Sequence, residues 1–516
     1  MPEPEKLSFD QFIRHWARER PDSIALEQGD TAITFGAFEQ RSRKIVGMLQ
    51  ARGVGKGDRI AWLGKNALLY FEVFYSAARL GVVVVPVGWR LAAPEIAYIL
   101  QDTGAKLLFI GEGFDQLADK ACADLANAPP VLSPDDTQAA IEDAPAADLT
   151  PAGPDDAVLQ LYTSGTTGNP KGAVLTNRNL FALRVPGEKA EQPWSHFDAD
   201  EAILICMPCA HIGGTGLGIM AMSSGIRAIV QEEFTPDGVL GAFEQGITRL
   251  FIVPAALQMV VQHPRAKDTD MSAVKYVLYG AAPIPLDLLR EAVQTIPDAG
   301  FLQCYGMTET TGTIAALPPE DHDLAGNERM KSAGKAVPGV ELKVVDEDGA
   351  ELPRGQVGEL ICQSPSNMAG YWNLPEATQS SLIDGWMHTG DAAYMDEDGY
   401  VFIQDRIKDM IISGGENVYP AQVESAIYGH PDVAEVAVIG VPDDTWGEAV
   451  KACIVAKPGA EVDEHSIIDW TKERLAGFKV PKSVDVIDVM PRNASGKILR
   501  KDLRAPYWEG RERQVN

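Results

Sequence analysis

Four consecutive valines at 82–85 limit what this 516-residue chain can fold into more than any other feature. A β-branched run without polar alternation suits a strand buried on both faces, and such strands belong to parallel sheets covered by helices. The flanks agree. Leu68–Leu80 is apolar at helical spacing and stops at Gly81, where a C-cap belongs. Upstream, Phe35, Phe38, Ser42, Ile45, Val46 and Leu49 repeat that spacing before Gly53, and Arg59–Leu63 reads as a strand. The rhythm returns at 250–253, 274–279 and 301–305, three further strands separated by helical stretches. This alternation predicts an α/β architecture with largely parallel sheets.

A chain of this length exceeds what one hydrophobic core serves and divides into domains. Residues 128–156 are rich in Pro, Ala and Asp, which predicts a surface connection between two lobes. From about 340 the pattern changes. Residues 340–344 alternate, Asp348-Gly349 and Asp398-Gly399 supply turns, and the stretch to about 404 reads as a small antiparallel β unit. A last segment mixes a helix at 421–428 with a strand at 433–439. The expected organisation is a large N-terminal domain, residues 1–405, of two α/β lobes plus the β unit, followed by a small α+β C-terminal domain, residues 406–516.

Charge and cysteine usage exclude some functions. The formal net charge is −28, from 73 acidic and 45 basic residues, which argues against holding nucleic acid, where phosphate contacts need clustered Lys and Arg. The balance reverses locally: 471–516 hold eleven Lys or Arg against six Asp or Glu, which suits a polyanionic ligand or a solvated basic face equally. Six cysteines scattered at 122, 206, 209, 304, 362 and 453 do not form a secreted disulfide framework, and Cys206-x-x-Cys209 reads as packing. The first residues lack the pattern of a signal peptide, so the cytoplasm is the expected compartment. Residues 202–226 carry no formal charge but contain Pro208, His211 and five glycines, which predicts buried interior with a pocket-lining loop and no membrane span.

The chemistry concentrates in Thr163-Ser164-Gly165-Thr166-Thr167-Gly168-Asn169-Pro170-Lys171-Gly172, flanked by apolar strands. Glycines let backbone N–H groups approach an anion, hydroxyls add donors, and the lysine supplies charge. It is a phosphate loop in composition, yet not a Walker A loop, because Lys171-Gly172 leads into a strand and no Ser or Thr follows the lysine.

Together with Tyr162, that string resembles the phosphate loop of the adenylate-forming superfamily, which holds acyl-CoA synthetases, adenylation domains of peptide synthetases and beetle luciferases. Six more matches follow in the family's order: Gly280-Ala281-Ala282-Pro283, Tyr305-Gly306-Met307-Thr308-Glu309, Thr389-Gly390-Asp391, Asp405-Arg406-Ile407-Lys408-Asp409, Gly414-Gly415-Glu416-Asn417 and Ser495-Gly496-Lys497. The resemblance spans nearly the whole chain. It implies attack of a carboxylate on the α-phosphate of ATP, where aligning two anions and neutralising their charge dominate the barrier. In relatives the loop from Thr163 through Ser164, Gly165, Thr166, Thr167 and Gly168 to Lys171 holds the β- and γ-phosphates. Ala281, Ala282, Pro283 and Tyr305 line the adenine site, Gly306 and Met307 belong to the ATP site, and Thr308 touches the α-phosphate. Glu309 is the expected Mg²⁺ ligand, Asp391 binds the ribose hydroxyls, and Arg406 faces ribose and phosphate. Lys497 bridges the substrate carboxylate and the α-phosphate.

For the second half-reaction the resemblance makes the C-terminal domain mobile about a hinge at Lys408, a swing that withdraws Lys497 and brings up Gly414-Gly415. Trp446 and the cluster holding Phe478, Lys479 and Lys482 resemble coenzyme A contacts. Pro208-Cys209-Ala210-His211 resembles a Pro-x-x-His stretch whose histidine closes over the acyl site, with Ala210 where relatives often carry an aromatic. Gly213, Gly214 and Gly216 leave space, and no fixed charge lies within 202–218.

The reading is therefore an AMP-forming acyl-CoA ligase using ATP, Mg²⁺ and coenzyme A on an apolar carboxylic acid, medium-chain fatty, branched or aryl-alkanoic. Homodimers are common among relatives. Three alternatives remain: an adenylation enzyme loading a separate carrier protein, a luciferase-like oxygenase, or a non-catalytic nucleotide-binding module. The last predicts decay of key residues, whereas Lys171, Glu309, Asp391, Arg406 and Lys497 are all present.

Overall fold

The computed structural model describes residues 7–163, 169–492 and 498–509. Two large sheets form the N-terminal body. In one, Gly300–Met307, Tyr276–Gly280, Arg249–Ile252, Ala202–Ile205, Arg227–Val230 and Ile24–Gln28 run parallel in that spatial order, with antiparallel strands added at both edges. In the other, Ala157–Thr163, Val83–Val87, Arg59–Leu63 and Leu108–Ile110 run parallel, and the valine strand is buried along its whole length. A strand run without polar alternation thus lies where water reaches neither face.

The two sheets are joined by a pair of helices. Leu68–Leu80, buried except at Leu69, ends on Gly81 in the left-handed region at φ 75°. It packs on Ile212–Ser224, where a Cβ on Gly218 would lie 2.3 Å from the Phe71 ring and 2.7 Å from the Tyr75 hydroxyl. Tyr70 Oη and Thr215 Oγ1 are hydrogen-bonded across the seam at 2.7 Å. The resulting core runs through both sheets and contains Phe71, Phe74, Ile60, Val84, Ile203 and Ile205. Truncating one such aromatic costs about 3–5 kcal/mol, so the seam fixes how the site's two halves face each other.

Residues 128–156 depart from the expected connection between lobes. They link Val131–Leu132 to Ala157–Thr163 within one sheet and contain the helix Pro134–Asp143. Ser133 caps that helix by accepting from the Asp136 N–H, and Thr137 and Ile141 are buried. Proline here marks the first helical turn, where its missing N–H costs nothing.

A third sheet is antiparallel, built from Glu341–Val345, Gly358–Gln363, Trp386–Met395 and Val401–Arg406 with a short fifth strand. After the turn Ile407–Asp409, a fourth sheet of Glu416–Val418, Ile411–Ser413, Gly447–Ala456, Val433–Asp443 and Ser483–Val486 forms the small C-terminal domain, with its own core around Ile411, Val438 and Ile467. Among the described residues no helix is long and apolar enough to cross a membrane, and residues 202–226 form a strand, a loop and a helix of the body.

Candidate active site

The strands Ala157–Thr163 and Lys171–Thr176 are antiparallel neighbours with Thr163 opposite Lys171, so they hold both ends of the glycine- and hydroxyl-rich segment. Ser164, Gly165, Thr166, Thr167 and Gly168 lie outside the described residues. Thr163 and Lys171 line a cavity of about 1090 Å³, shared with Thr308, Glu309 and Arg406.

Glu309 follows the strand Gly300–Met307 in a short 3-10 turn. That turn needs Gly306, because a Cβ there would stand 1.8 Å from the Gly312 carbonyl oxygen. Glu309 is 5% exposed, and its Oε1 accepts from Thr163 Oγ1 at 3.2 Å and from Tyr371 Oη at 2.8 Å. Both bonds fall on one oxygen, which leaves Oε2 for a cation. No cluster of three or more His, Cys, Asp or Glu fit to hold a metal occurs among the described residues. A lone carboxylate beside the Thr163 and Tyr371 hydroxyls fits Mg²⁺, which keeps several waters and takes few protein ligands.

Asp391 and Arg406 face each other across an antiparallel pair, which makes their ion pair a cross-strand contact of 2.7 Å. Arg406 also donates to the Thr389 carbonyl at 2.9 Å. The other Asp391 oxygen accepts from Tyr305 Oη at 2.5 Å. Burial, reinforced by Asp391, holds the Tyr305 phenol well above its ordinary value, so it remains a donor. For Arg406, burial opposes the charged form but Asp391, Tyr305 and Glu309 outweigh it, and the pKa is raised.

Ala281, Gly306 and Met307 line the cavity, whereas Tyr305, Asp391, Ala282 and Pro283 are absent from its described lining, Ala282 and Pro283 being exposed and Asp391 buried. Ala281 has φ 65°, a left-handed conformation that costs a non-glycine residue about 1–3 kcal/mol.

Lys497 lies outside the described residues. Its neighbour Ile498 lines the cavity and pairs with Arg492, and Lys408 lines the same cavity. Arg500 and Arg504 close this side. Arg500 reaches Glu424 at 2.7 Å, Asp405 at 3.6 Å and Asp409 at 3.7 Å, and Arg504 reaches Asp409 at 3.0 Å. Burial pushes Asp405 up to about 6, with Arg500 opposing.

The residues expected to contact coenzyme A lie elsewhere. Gly414, Gly415, Trp446, Phe478, Lys479 and Lys482 are absent from the described lining of the cavity. Gly414, at φ 63°, sits under Trp446, whose ring a Cβ would meet at 2.7 Å. Lys482 Nζ lies 5.5 Å from the same ring, Lys479 donates to Gln422 at 2.7 Å, and Trp446 and Phe478 are exposed.

The acyl side follows the helix Ile212–Ser224, with His211 at its N-cap. His211 lines the cavity, and its buried Nε2 has no hydrogen-bond partner among the described residues. Burial, then the Arg90 charge, lowers its pKa to about 4, so the imidazole is neutral at pH 7. Of the three glycines expected to leave space, only Gly216 does. Gly213 is seated on Phe251 and Gly214 on the Met207 and Pro208 carbonyls. Ala210 is buried outside the lining, and Cys206 and Cys209 are buried free thiols pushed up to about 12, which suits packing.

Sequence reasoning missed Tyr371 and Arg184. Tyr371 comes from a two-residue strand beside Lys171–Thr176, 62 positions from Glu309, too short to leave a periodic signal. Arg184 enters the acyl side from outside 202–218, the stretch searched for charge.

Comparison with known proteins agrees with this geometry. A family model described as AMP-binding enzyme matches residues 13–372, and one described as AMP-binding enzyme C-terminal domain matches 422–497. The chain is 40% identical over 522 residues to a fatty acid–[acyl-carrier-protein] ligase of Streptomyces coeruleorubidus, covering 99% of both chains. It is 39% identical over 496 residues to a feruloyl-CoA synthase of an Amycolatopsis species, covering 95% of this chain and 97% of the relative. The ATP-bound crystal structure of MatB from Rhodopseudomonas palustris superposes with TM-score 0.86 and 32% identity, over 97% of this chain and 99% of that one. Motifs, architecture and relatives converge, and the chain belongs to the AMP-binding enzyme family, the adenylate-forming superfamily.

Proposed function

We propose that the protein is an AMP-forming acyl-CoA ligase that activates a largely apolar carboxylic acid as its acyl-adenylate and transfers the acyl group to coenzyme A. The observation carrying this reading is the single cavity in which Lys171, Thr308, Glu309 and Arg406 meet Ile498, the neighbour of Lys497, at one end of an apolar channel.

In this reading Lys171 and the hydroxyls of the phosphate loop hold the β- and γ-phosphates, and Thr308 orients the α-phosphate. Asp391, whose oxygens each keep a second lone pair beyond the bonds from Tyr305 and Arg406, accepts from the ribose hydroxyls. Glu309 Oε2 holds Mg²⁺, which when bound neutralises phosphate charge. Lys497 pairs the carboxylate with the α-phosphate and stabilises the charge of the in-line transfer. Neutral His211, whose buried Nε2 has no hydrogen-bond partner among the described residues and which lines the cavity, orients the acid.

The boundary near 405–406 and the hinge at Lys408 belong to the same proposal. Lys408 lies in a one-turn link between the third and fourth sheets, and the exposed coenzyme A set must travel to reach the cavity. A second reading, transfer to a carrier-protein thiol, draws support from the 40% identity to a relative named for that acceptor.

The test is AMP release with ATP, Mg²⁺ and a panel of aliphatic and aryl acids, with and without coenzyme A, with products weighed by mass spectrometry. A thioester mass with coenzyme A-stimulated AMP release is expected. Acyl-adenylate that ignores coenzyme A but reacts with a phosphopantetheinyl carrier moves the protein to the second reading. No adenylate with any acid, despite ATP binding, would remove both.

A further inference from the structure

One wall of the acyl side is a single face of neighbouring strands. Side chains alternate along a strand, so Arg249 and Phe251 share a face, and pairing sets Tyr276 beside Arg249 and Leu278 beside Phe251. On Gly300–Met307 the same two rows hold Gly300 and Leu302, and Cys304 and Gly306 continue that face toward Thr308. Ala316 of the strand Gly312–Leu317 lies opposite Cys304. Leu278, Leu302, Cys304, Gly306 and Ala316 all line the cavity, which therefore follows the strands away from the nucleotide side. From Gly306 to Leu302 this wall runs about 13 Å at ~3.3 Å per residue. The helix Ile212–Ser224 faces it with Gly216 and Met220.

The row of Arg249 and Tyr276 ends the channel. Arg249 is ion-paired with Glu201, and both side chains are buried. Its guanidinium lies 4.1 Å from the Phe197 ring and 4.6 Å from the Tyr276 ring, and it donates to the Trp194 carbonyl at 2.6 Å. Such a pair does not open cheaply, because either partner alone would be an uncompensated buried charge. In front of it stands Trp194, in the one-turn segment Pro193–Ser195. Trp194 lines the cavity and packs on the cluster of Leu278, Leu302 and Ala316. Met220 packs on the same cluster, but its unbranched side chain adapts readily. Trp194 carries a rigid ring on a backbone tied to Arg249.

We propose that Trp194, braced by Arg249, sets an upper limit on the length of the acid. A C–C bond of about 1.52 Å gives an extended chain roughly 1.3 Å per carbon, so the 13 Å wall fits an alkyl or arylalkyl chain of about ten carbons. This rests on the ligase reading above and names the size class of its substrate.

The experiment measures kcat/KM for ATP-dependent pyrophosphate release over straight-chain acids from short to long, in the parent and in four variants. In the parent the value should rise about fourfold per added carbon. It should peak near ten carbons and then fall about tenfold or more, the cost of overpacking. Trp194→Ala should move the peak outward by about three carbons, the ~3.5 Å thickness of a ring, and no further while Arg249 remains. Trp194→Leu, the milder change, should move it by a smaller step in the same direction. Ala316→Leu, which adds bulk to the wall, should move the peak to shorter acids. Three results overturn the proposal: a parent profile that rises without a peak, Trp194 variants that lose all acids in equal proportion with the peak unmoved, or a larger outward shift in Met220→Ala than in Trp194→Ala. Absence of pyrophosphate release with every acid is a separate result, which removes the ligase reading and this inference with it.

Discussion

The two half-sites of this protein are built in opposite ways. On the large domain the nucleotide-side groups are tied to one another across long stretches of chain. Thr163 meets Glu309 over 146 residues, Tyr305 meets Asp391 over 86, and Asp391 and Arg406 are locked by strand pairing. On the small domain the residues expected to contact coenzyme A sit apart, with Trp446 45% and Phe478 36% exposed, and contribute nothing to the described lining of the cavity. The difference teaches where each step draws its organisation. Adenylation relies on groups held in place before substrate arrives, where electrostatic stabilisation is worth most. In the proposed reaction, thioester formation draws on a movement that carries a second surface to the same cavity.

The sharpest way to break this comparison is Lys497→Ala. Adenylation should fall about 10²–10³-fold, the usual cost of removing one charge-stabilising group, while thioester formation from supplied acyl-AMP survives. Equal loss of both steps, measured in separate half-reaction assays, would erase the division. Next in size is Tyr371→Phe, which removes a donor to Glu309 Oε1. Loss of a hydrogen bond to a charged group predicts a roughly tenfold or greater drop in adenylation, with a raised Mg²⁺ requirement and little change in thioester formation. A Mg²⁺ titration unchanged from the parent would remove Glu309 from the metal role.

Lys408→Pro tests the other side. Fixing φ in the linking turn should slow thioester formation about tenfold and leave adenylation within about twofold, since a hinge must absorb a large backbone change. Comparable damage to both steps would place the hinge elsewhere.

The smallest effect concerns the Arg500 cluster between the domains. Asp405 binds its proton up to about pH 6 in the folded chain, from an ordinary 3.8. A raised carboxyl pKa gives stability that is full below the unfolded value and lost as pH rises through the folded one. Unfolding free energy should therefore decline by about 1 kcal/mol between pH 5 and pH 8 from this group. In Asp405→Asn, denaturant unfolding across that range should lose this slope, and a persisting slope would assign it to another group.

Legibility in the sequence followed the same line. The α/β alternation, the helix Leu68–Leu80 with its Gly81 cap and the antiparallel β unit were readable, because periodicity and caps are local signals. The helix Pro134–Asp143 was misread as a connection, because proline and acidic residues mark turns and first helical turns alike. Tyr371 and Arg184 left no trace, since a two-residue strand and a lone arginine gain meaning only from what they touch.

What the sequence alone determined is the chemistry: contiguous motifs in fixed order name the reaction, because each phosphate or ribose contact needs residue types that sit within a few positions of one another. What only the tertiary structure decided is how those motifs converge and where the acyl channel ends. Glu309 gains Tyr371 through an added edge strand, and Ser223 gains Arg184 through the packing of separate helices. Contacts of that kind arise when distant surfaces are buried together, and the chain records them only as ordinary apolar, aromatic and charged residues.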